Sequence, residues 1–299
     1  MSKKNIKYLI LIAVLLIANL GLMFTNGSKR SSSFDDGLFT VSNTESIQKV
    51  SIENSNGEIV LERSGDNWYL NEQFQVDPSF QEILFSLLNQ IKVKREVGSL
   101  SDKSGSISIE FSDNSMLEFD YASDGIGTKS FFIKDGVGYQ VEVPGYRDNV
   151  INIFELTQDQ WRNRVVFDGS WRTIQRLKLT SKSDVLDIKF NNQFFEVGGV
   201  TAIDSSMVVD YLNQFQIFQA NEMISAGKFE DLDSLITTDP VAQIVIDDIQ
   251  YEAPITFSIF PRLPNQAFHL VTKGEADMMV FEARRIESLL KKSDEFEAK

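Results

Sequence analysis

Few residues in this sequence could carry out acid-base chemistry. The chain has one histidine, His269, within the apolar run NQAFHLV. A Ser-His-Asp site could use it as a general base, but a lone histidine in a predicted strand is more often a packing or surface residue. The sequence also has no HExxH helix, Walker-type phosphate loop or GxSxG nucleophile elbow. It therefore predicts no catalytic residue and a protein that is not an enzyme, with a hydrolase as the least favoured alternative.

Acidic clusters and glycine pairs are the next candidates, for a metal or a cofactor. Carboxylates suit a hard cation such as calcium, but no cluster has the spacing of a calcium-binding loop. The glycine pairs GIG and GVG, at 125–127 and 136–138, lie in predicted turns and lack the strand-GxGxxG-helix context of a dinucleotide site. We therefore predict no metal ligand and no cofactor. The acidic clusters are Asp35-Asp36, Glu230 with Asp231 and Asp233, and Asp247-Asp248.

The stretch WRNRVVFDGSWR concentrates tryptophan and arginine within a strongly acidic chain. These two residue types are enriched in the hot spots of protein interfaces. The preceding TQDQ matches a capping box, Thr157 with Gln160, and predicts a short helix. Two interpretations stay open: a partner-binding site, or internal contacts that hold two modules together by stacking and by pairing with acids. The candidate partner-binding residues are Trp161, Arg162, Arg164, Trp171 and Arg172.

The overall charge limits the partners of the protein. The formal net charge is −14, and residues 25–299 carry 26 bases against 43 acids, which gives −17. Such a body should repel phosphate backbones and anionic lipid headgroups, so no nucleic-acid partner is predicted. The chain has no cysteine, which excludes disulfides, thiolate zinc sites and a cysteine nucleophile.

The N-terminus has the pattern of a membrane anchor. Three lysines precede the apolar stretch from Tyr8 to Phe24, which is interrupted only by Asn19. A helix of that length spans about 25 Å, close to the minimum for crossing a bilayer core. A cleaved signal peptide is the alternative, but the apolar run is long for one and no Ala-x-Ala site follows it. We predict a retained anchor at 1–24, with the N-terminus in the cytoplasm, the body in the periplasm or outside, and a flexible linker at 25–37.

The body contains an internal sequence repeat. The stretch LFTVSNTESIQKVSIENSNGEIVLERSGDNWYLNEQFQVDPS aligns without a gap to VVFDGSWRTIQRLKLTSKSDVLDIKFNNQFFEVGGVTAIDSS, with Ile47 opposite Ile174. Apolar and polar residues alternate in each copy, which predicts antiparallel strands. Helical spacing follows in both copies, and Asp77 and Asp204 stand where a helix N-cap belongs. We predict an α+β fold of two tandem repeated modules of antiparallel meanders with short helices, 38–165 and 166–299, after one transmembrane helix.

These motifs resemble domain-of-unknown-function family 4340, a family of membrane-anchored bacterial envelope proteins. The resemblance lies in the N-terminal anchor, in IQKVSI, in LERSGDNWYLN from Leu61 to Asn71, and in the VD that opens a helix. WRNRVVFD and IQRLKL are similar to the internal boundary of that family. Its members are often encoded beside gliding-type ABC transporter components, which implies an accessory or scaffold role with ABC transporter subunits as partners. The alternative is a binding module for a lipid or glycan held between the two modules.

Overall fold

The computed structural model describes residues 35–124, 126–146, 149–262, 266–274 and 277–298. These residues form mostly antiparallel β-sheet with a few short helices, as expected for an α+β fold. Within these ranges, none of the helices has the length and apolar character needed to cross a membrane. The predicted anchor at 1–24 and residues 25–34 of the predicted linker lie outside the described residues.

The helices and strands are short and follow one another closely along the chain. The strands are β1 (Ile47–Asn54), β2 (Gly57–Ser64), β3 (Asn67–Leu70), β4 (Phe74–Gln75), β5 (Lys92–Ser99), β6 (Gly105–Phe111), β7 (Met116–Ser123), β8 (Ser130–Lys134), β9 (Val137–Glu142), β10 (Val165–Phe167), β11 (Ile174–Ser181), β12 (Val185–Phe190), β13 (Phe195–Val197), β14 (Phe218–Gln219), β15 (Glu222–Ile224), β16 (Ala242–Asp248), β17 (Ile255–Ile259), β18 (Phe268–Lys273) and β19 (Asp277–Glu282). The α-helices are α1 (Pro78–Gln90), α2 (Gln158–Trp161), α3 (Ser205–Asn213), α4 (Glu230–Ile236) and α5 (Ala283–Leu289). Short 3₁₀ turns lie at Thr44–Ser46, Val150–Glu155 and Ser293–Phe296.

The chain divides into two compact units. Within the described ranges, the first unit contains residues 35–47 and Leu84–Ile153, and the second contains Gln48–Ile83 and 154–298.

In the first unit, the strands form an antiparallel array in the order β6-β7-β8-β9-β5. Its core is aromatic: the Phe39 ring lies 5.2 Å from each of the Phe119 and Phe132 rings, and the last two rings stack at 4.4 Å. The segment around Phe39 is held by the C-terminal end of α1, since Val41 N donates to the Leu88 carbonyl at 2.9 Å.

The second unit contains the meander β4-β3-β2-β1, the pair β10-β14, and a larger antiparallel sheet in the order β13-β12-β11-β16-β17-β18-β19-β15. In β11 the side chains alternate between the core and solvent, as the apolar-polar pattern predicts. Leu177 and Leu179 are buried, and they lie opposite Ile188 and Leu186 on β12. The alternation therefore fixes which face of β11 is buried.

The apolar positions that align in the two halves are buried with few exceptions. Phe195 is partly buried, and in the two aligned helices Ile83 and Met207 are exposed. Leu84 and Val208, the next residue in each helix, are buried. Consecutive helical residues point about 100° apart, so Ile83 and Met207 lie outside the face of the helix that packs against the core. The buried aligned residues are Ile47, Val50, Ile52, Ile59, Leu61, Trp68 and Leu70, and Ile174, Leu177, Leu179, Leu186, Ile188 and Val197.

Both predicted helix caps are confirmed. Oδ1 of Asp77 accepts a hydrogen bond from Ser79 N at 2.9 Å, at the start of α1. Oδ1 of Asp204 accepts one from Ser206 N at 3.0 Å, at the start of α3. Each carboxylate thus satisfies a backbone N–H that has no partner within the helix.

Candidate partner-binding segment

The segment at the end of α2, residues 161–164, runs in an extended conformation within the second unit, and we call it the strap. Oε1 of Gln160 accepts from Thr157 N at 2.8 Å, as the capping-box prediction requires, and α2 ends at Trp161. On one side, Asp77 N donates to the Trp161 carbonyl at 2.8 Å. On the other side, Ala220 N donates to the Arg164 carbonyl at 2.8 Å. The backbone of the strap is therefore fixed on both sides.

Trp161 lies fully inside the protein. Its ring meets that of Phe80 edge-to-face, with centroids 6.1 Å apart. Among the described residues, its Nε1 has no hydrogen-bond partner. The side chain of Trp161 is thus a packing element of the second unit.

Arg162 is buried and makes several charged contacts. Its Nη2 donates to Oδ1 of Asp277 at 2.7 Å, and its Nη1 lies 3.8 Å from Oδ1 of Asp159. The guanidinium also lies over the Phe74 ring, 3.9 Å from the centroid. Asp277 belongs to the second predicted module, and Phe74 to the first. Arg162 therefore links residues from both predicted modules within the second unit.

Asp159 is a buried carboxylate with partners on both oxygens. Oδ1 accepts from Ser225 Oγ at 2.6 Å, and Oδ2 accepts from Lys228 Nζ at 3.0 Å. Burial raises the pKa of Asp159, but the hydrogen bonds from Ser225 and Lys228 outweigh this and leave the pKa below its usual value. Asp159 is therefore ionised at neutral pH and balances the nearby cations.

Arg164 is half-buried and pairs with the helix cap. Its Nε donates to Oδ2 of Asp77 at 3.2 Å, and its guanidinium lies 6.0 Å from the Phe80 ring centroid. Asp77 itself is buried. One carboxylate thus caps α1 and fixes the direction of an arginine side chain.

Trp171 and Arg172, in contrast, are exposed. The Arg172 guanidinium lies 5.4 Å from the Trp171 ring centroid. Other large apolar side chains that are exposed in the same region come from two further loops. Together, Trp171, Ile217, Ile249 and Tyr251 form what we call the loop cluster, whose members are 36% to 66% exposed.

Asp168 ties these loops together. Its Oδ1 accepts from Ile217 N at 2.9 Å, and its own N–H donates to the Tyr251 hydroxyl at 3.3 Å. Ile249 N donates to the Thr173 carbonyl at 3.1 Å. The three loops are therefore held against one another by hydrogen bonds, although their apolar side chains face solvent.

Ile217 has a backbone conformation that is unusual for its residue type. Its φ is +48°, in the left-handed region that a β-branched side chain disfavours. The hydrogen bond to Asp168 holds the N–H of Ile217 in place, and Arg285 Nη1 donates to the nearby Gln219 carbonyl at 2.7 Å. Strained residues of this kind are concentrated at functional sites.

Gly169 is required by close packing beneath the loop cluster. A Cβ at this position would lie 2.5 Å from Oδ2 of Asp248 and 2.5 Å from the Phe167 ring. Asp248 is buried, and its Oδ1 accepts from Gln250 N at 2.9 Å, which shapes the turn that carries Ile249 and Tyr251.

The five candidate residues thus fall into different environments. Trp161 and Arg162 are internal, Arg164 is half-buried, and the pair Trp171 and Arg172 is exposed. The sequence interpretation missed the rest of the loop cluster. A usable signal for two of its members was the presence of Ile249 and Tyr251 within DDIQYEAP, a polar turn next to a proline.

Two further candidates from the sequence, His269 and Asp233, make hydrogen bonds to the backbone. His269 is buried on β18, and its Nδ1 donates to the Phe260 carbonyl at 2.9 Å, because a carbonyl can only accept. In the acidic cluster of α4, Asp233 accepts from Gly227 N at 3.0 Å. In the part of the chain that the structure describes, no group of three or more His, Cys, Asp or Glu residues could hold a metal ion.

Comparisons with known proteins give no relative for this chain: no family model, no curated protein and no solved structure matches it.

Proposed function

We propose that the protein is a non-enzymatic accessory or scaffold protein of a membrane complex such as an ABC transporter. It is held at the cytoplasmic membrane by one N-terminal helix, with its body in the periplasm or outside. The lysine-flanked apolar stretch from Tyr8 to Phe24 supports the anchor and its orientation. The resemblance in the sequence motifs supports the choice of complex.

The body is a duplicated module. The order β3-β2-β1 matches β13-β12-β11, and the order β6-β7-β8-β9-β5 matches β16-β17-β18-β19-β15. In each half, a capped helix follows the meander. The matching strand orders extend the gapless alignment of the first portions to the rest of each half. A duplicated fold supplies sheet faces, edges and loops, which suit partner binding and require no catalytic group.

The loop cluster is the observation that carries the partner-binding proposal. Exposed apolar side chains on loops that are joined by hydrogen bonds are typical of protein interaction sites, whereas single exposed ones need no explanation. Here Trp171 lies beside Arg172, and tryptophan, tyrosine and arginine are the residues most enriched in interface hot spots. The partner contacts Trp171 and Arg172, and the internal members Trp161 and Arg162 support the strap that leads to them.

Crosslinking in intact cells tests this proposal. The tagged full-length protein is crosslinked, extracted with detergent and purified, and its partners are identified by mass spectrometry. We expect transporter subunits with the wild type, and their loss with the double substitution Trp171→Ala and Arg172→Glu. The melting temperature should stay within about 2 °C, since both side chains are exposed.

Phe194→Ala is the matched control. Phe194 is an exposed aromatic residue outside the loop cluster, so its removal should leave the partners unchanged. The proposal is contradicted if the wild-type protein is always recovered alone, or if Phe194→Ala and the double substitution lose the partners equally.

A further inference from the structure

We propose that a cleft in the second unit binds the anionic group of a small ligand, a carboxylate or a phosphate. The cleft has a volume of about 370 Å³. Its lining includes Gln160 and Arg164 from the first predicted module, and Asn221 and Lys228 from the second. This inference does not depend on the accessory role proposed above, and the cleft contains neither Trp171 nor Arg172.

Arg164 supplies a prepositioned donor edge. Its Nε is engaged by Asp77 at 3.2 Å, and the Phe80 ring lies beside the guanidinium. Among the described residues, its two Nη groups have no hydrogen-bond partner. A guanidinium edge of two parallel N–H groups matches the geometry of a carboxylate or phosphate. Because Asp77 already holds the Arg164 side chain, less side-chain conformational entropy is lost when a ligand binds.

Lys228 places a second cation on the same cleft. Its Nζ donates to the buried Asp159 at 3.0 Å, and the lysine side chain remains 42% exposed. The ammonium group has three donors, so the bond to Asp159 leaves two for a ligand. The arrangement repeats that of Arg164: a buried carboxylate fixes a cation that lines the cleft.

Two side-chain amides add neutral donors. Oε1 of Gln160 accepts from Thr157 N, and Oδ1 of Asn221 accepts from Glu282 N at 2.8 Å. These contacts assign the oxygens of both amides, so each NH₂ group has no partner among the described residues. The cleft is therefore rich in hydrogen-bond donors that have no acceptor within the described part of the chain.

The acidic residues near the cleft differ in their effect on a bound anion. Asp77 and Asp159 are buried and occupied by hydrogen bonds. Glu222 also lines the cleft and is exposed, so it opposes an anion by charge. A neutral residue at this position should therefore strengthen anion binding.

Calorimetric titration of the full-length protein in nonionic detergent tests the inference. The probes are inorganic phosphate, succinate, and phosphatidylglycerol dissolved in the same micelles, which separate a free phosphate, a carboxylate and a lipid headgroup. We expect saturable binding of at least one probe. Arg164→Gln and Lys228→Gln should each weaken it about tenfold, since each removes a charge-assisted hydrogen bond. Glu222→Gln should strengthen it.

Arg176→Gln is the control, because Arg176 is an exposed arginine that pairs with Asp187 and does not line the cleft. The Arg176→Gln variant should bind the probe with the same affinity as the wild type. The inference fails if no probe binds saturably, if Arg176→Gln weakens binding as much as the cleft substitutions do, or if Glu222→Gln weakens it. Should Arg164→Gln unfold the protein, Lys228→Gln decides, since Asp159 keeps its contacts with Ser225 and Arg162 in that variant.

Discussion

Asp77 Oδ2 accepts a hydrogen bond from Arg164 Nε at 3.2 Å, while Oδ1 of the same carboxylate caps helix α1. Asp204 occupies the aligned position in the second half and caps α3, but its carboxylate has no arginine partner among the described residues. One position of the repeat thus keeps its local role in both copies and has a tertiary role in only one.

Asp77→Ala should destabilise the protein more than Asp204→Ala. The first substitution removes a cap and leaves Arg164 without its buried partner, which should cost about 3 kcal/mol. The second removes only a cap, so its loss should be smaller. Urea unfolding of both variants measures the difference. Equal losses would show that the Asp77–Arg164 pair adds nothing to the stability of the fold.

Arg162→Glu should destabilise strongly, by about 3 to 5 kcal/mol, because it places an acid beside Asp159 and Asp277 at a buried position. Arg172→Glu is the matched exposed substitution and should change stability by no more than about 0.5 kcal/mol. Thermal unfolding of the two variants checks this prediction. A mild effect of Arg162→Glu would mean that Arg162 is not needed to hold the strap.

Acid should destabilise the protein through Asp159. The pKa of this carboxyl is lowered in the folded state, so its contribution to stability is present above its unfolded pKa of about 4 and is lost as the pH falls through the lower folded value. Asp159→Asn should therefore cost stability at pH 7 and cost less at pH 3. Urea midpoints of wild type and variant at both pH values test it. A difference that does not change with pH would contradict the assignment.

Ile217→Asn should stabilise the protein by about 1 kcal/mol. Asparagine tolerates the left-handed backbone conformation that isoleucine adopts here, and the isoleucine side chain is mostly exposed, so little burial is lost. If the loop cluster binds a partner, the same substitution should weaken that binding. A lower melting temperature would show that Ile217 contributes packing that outweighs its backbone strain.

The sequence by itself determined the local structure. Period-two alternation predicted strands such as β11 and β12, and the aspartates before α1 and α3 predicted their caps, because these features depend on neighbours within a few residues. It did not predict β5 or β15, each of which pairs with a strand distant in sequence. Such pairings are fixed by the whole sheet, and no local pattern records them.

Only the tertiary structure decided the surroundings of the tryptophans and arginines. WRNRVVFDGSWR reads as one motif, yet Trp161 and Arg162 are buried whereas Trp171 and Arg172 are exposed. Burial depends on what other segments bring to each side chain: Asp277 lies 115 residues from Arg162 in sequence, and Asp77 lies 87 from Arg164. Residue type determines which contacts a side chain can make, and the packing of distant segments determines which of these contacts form.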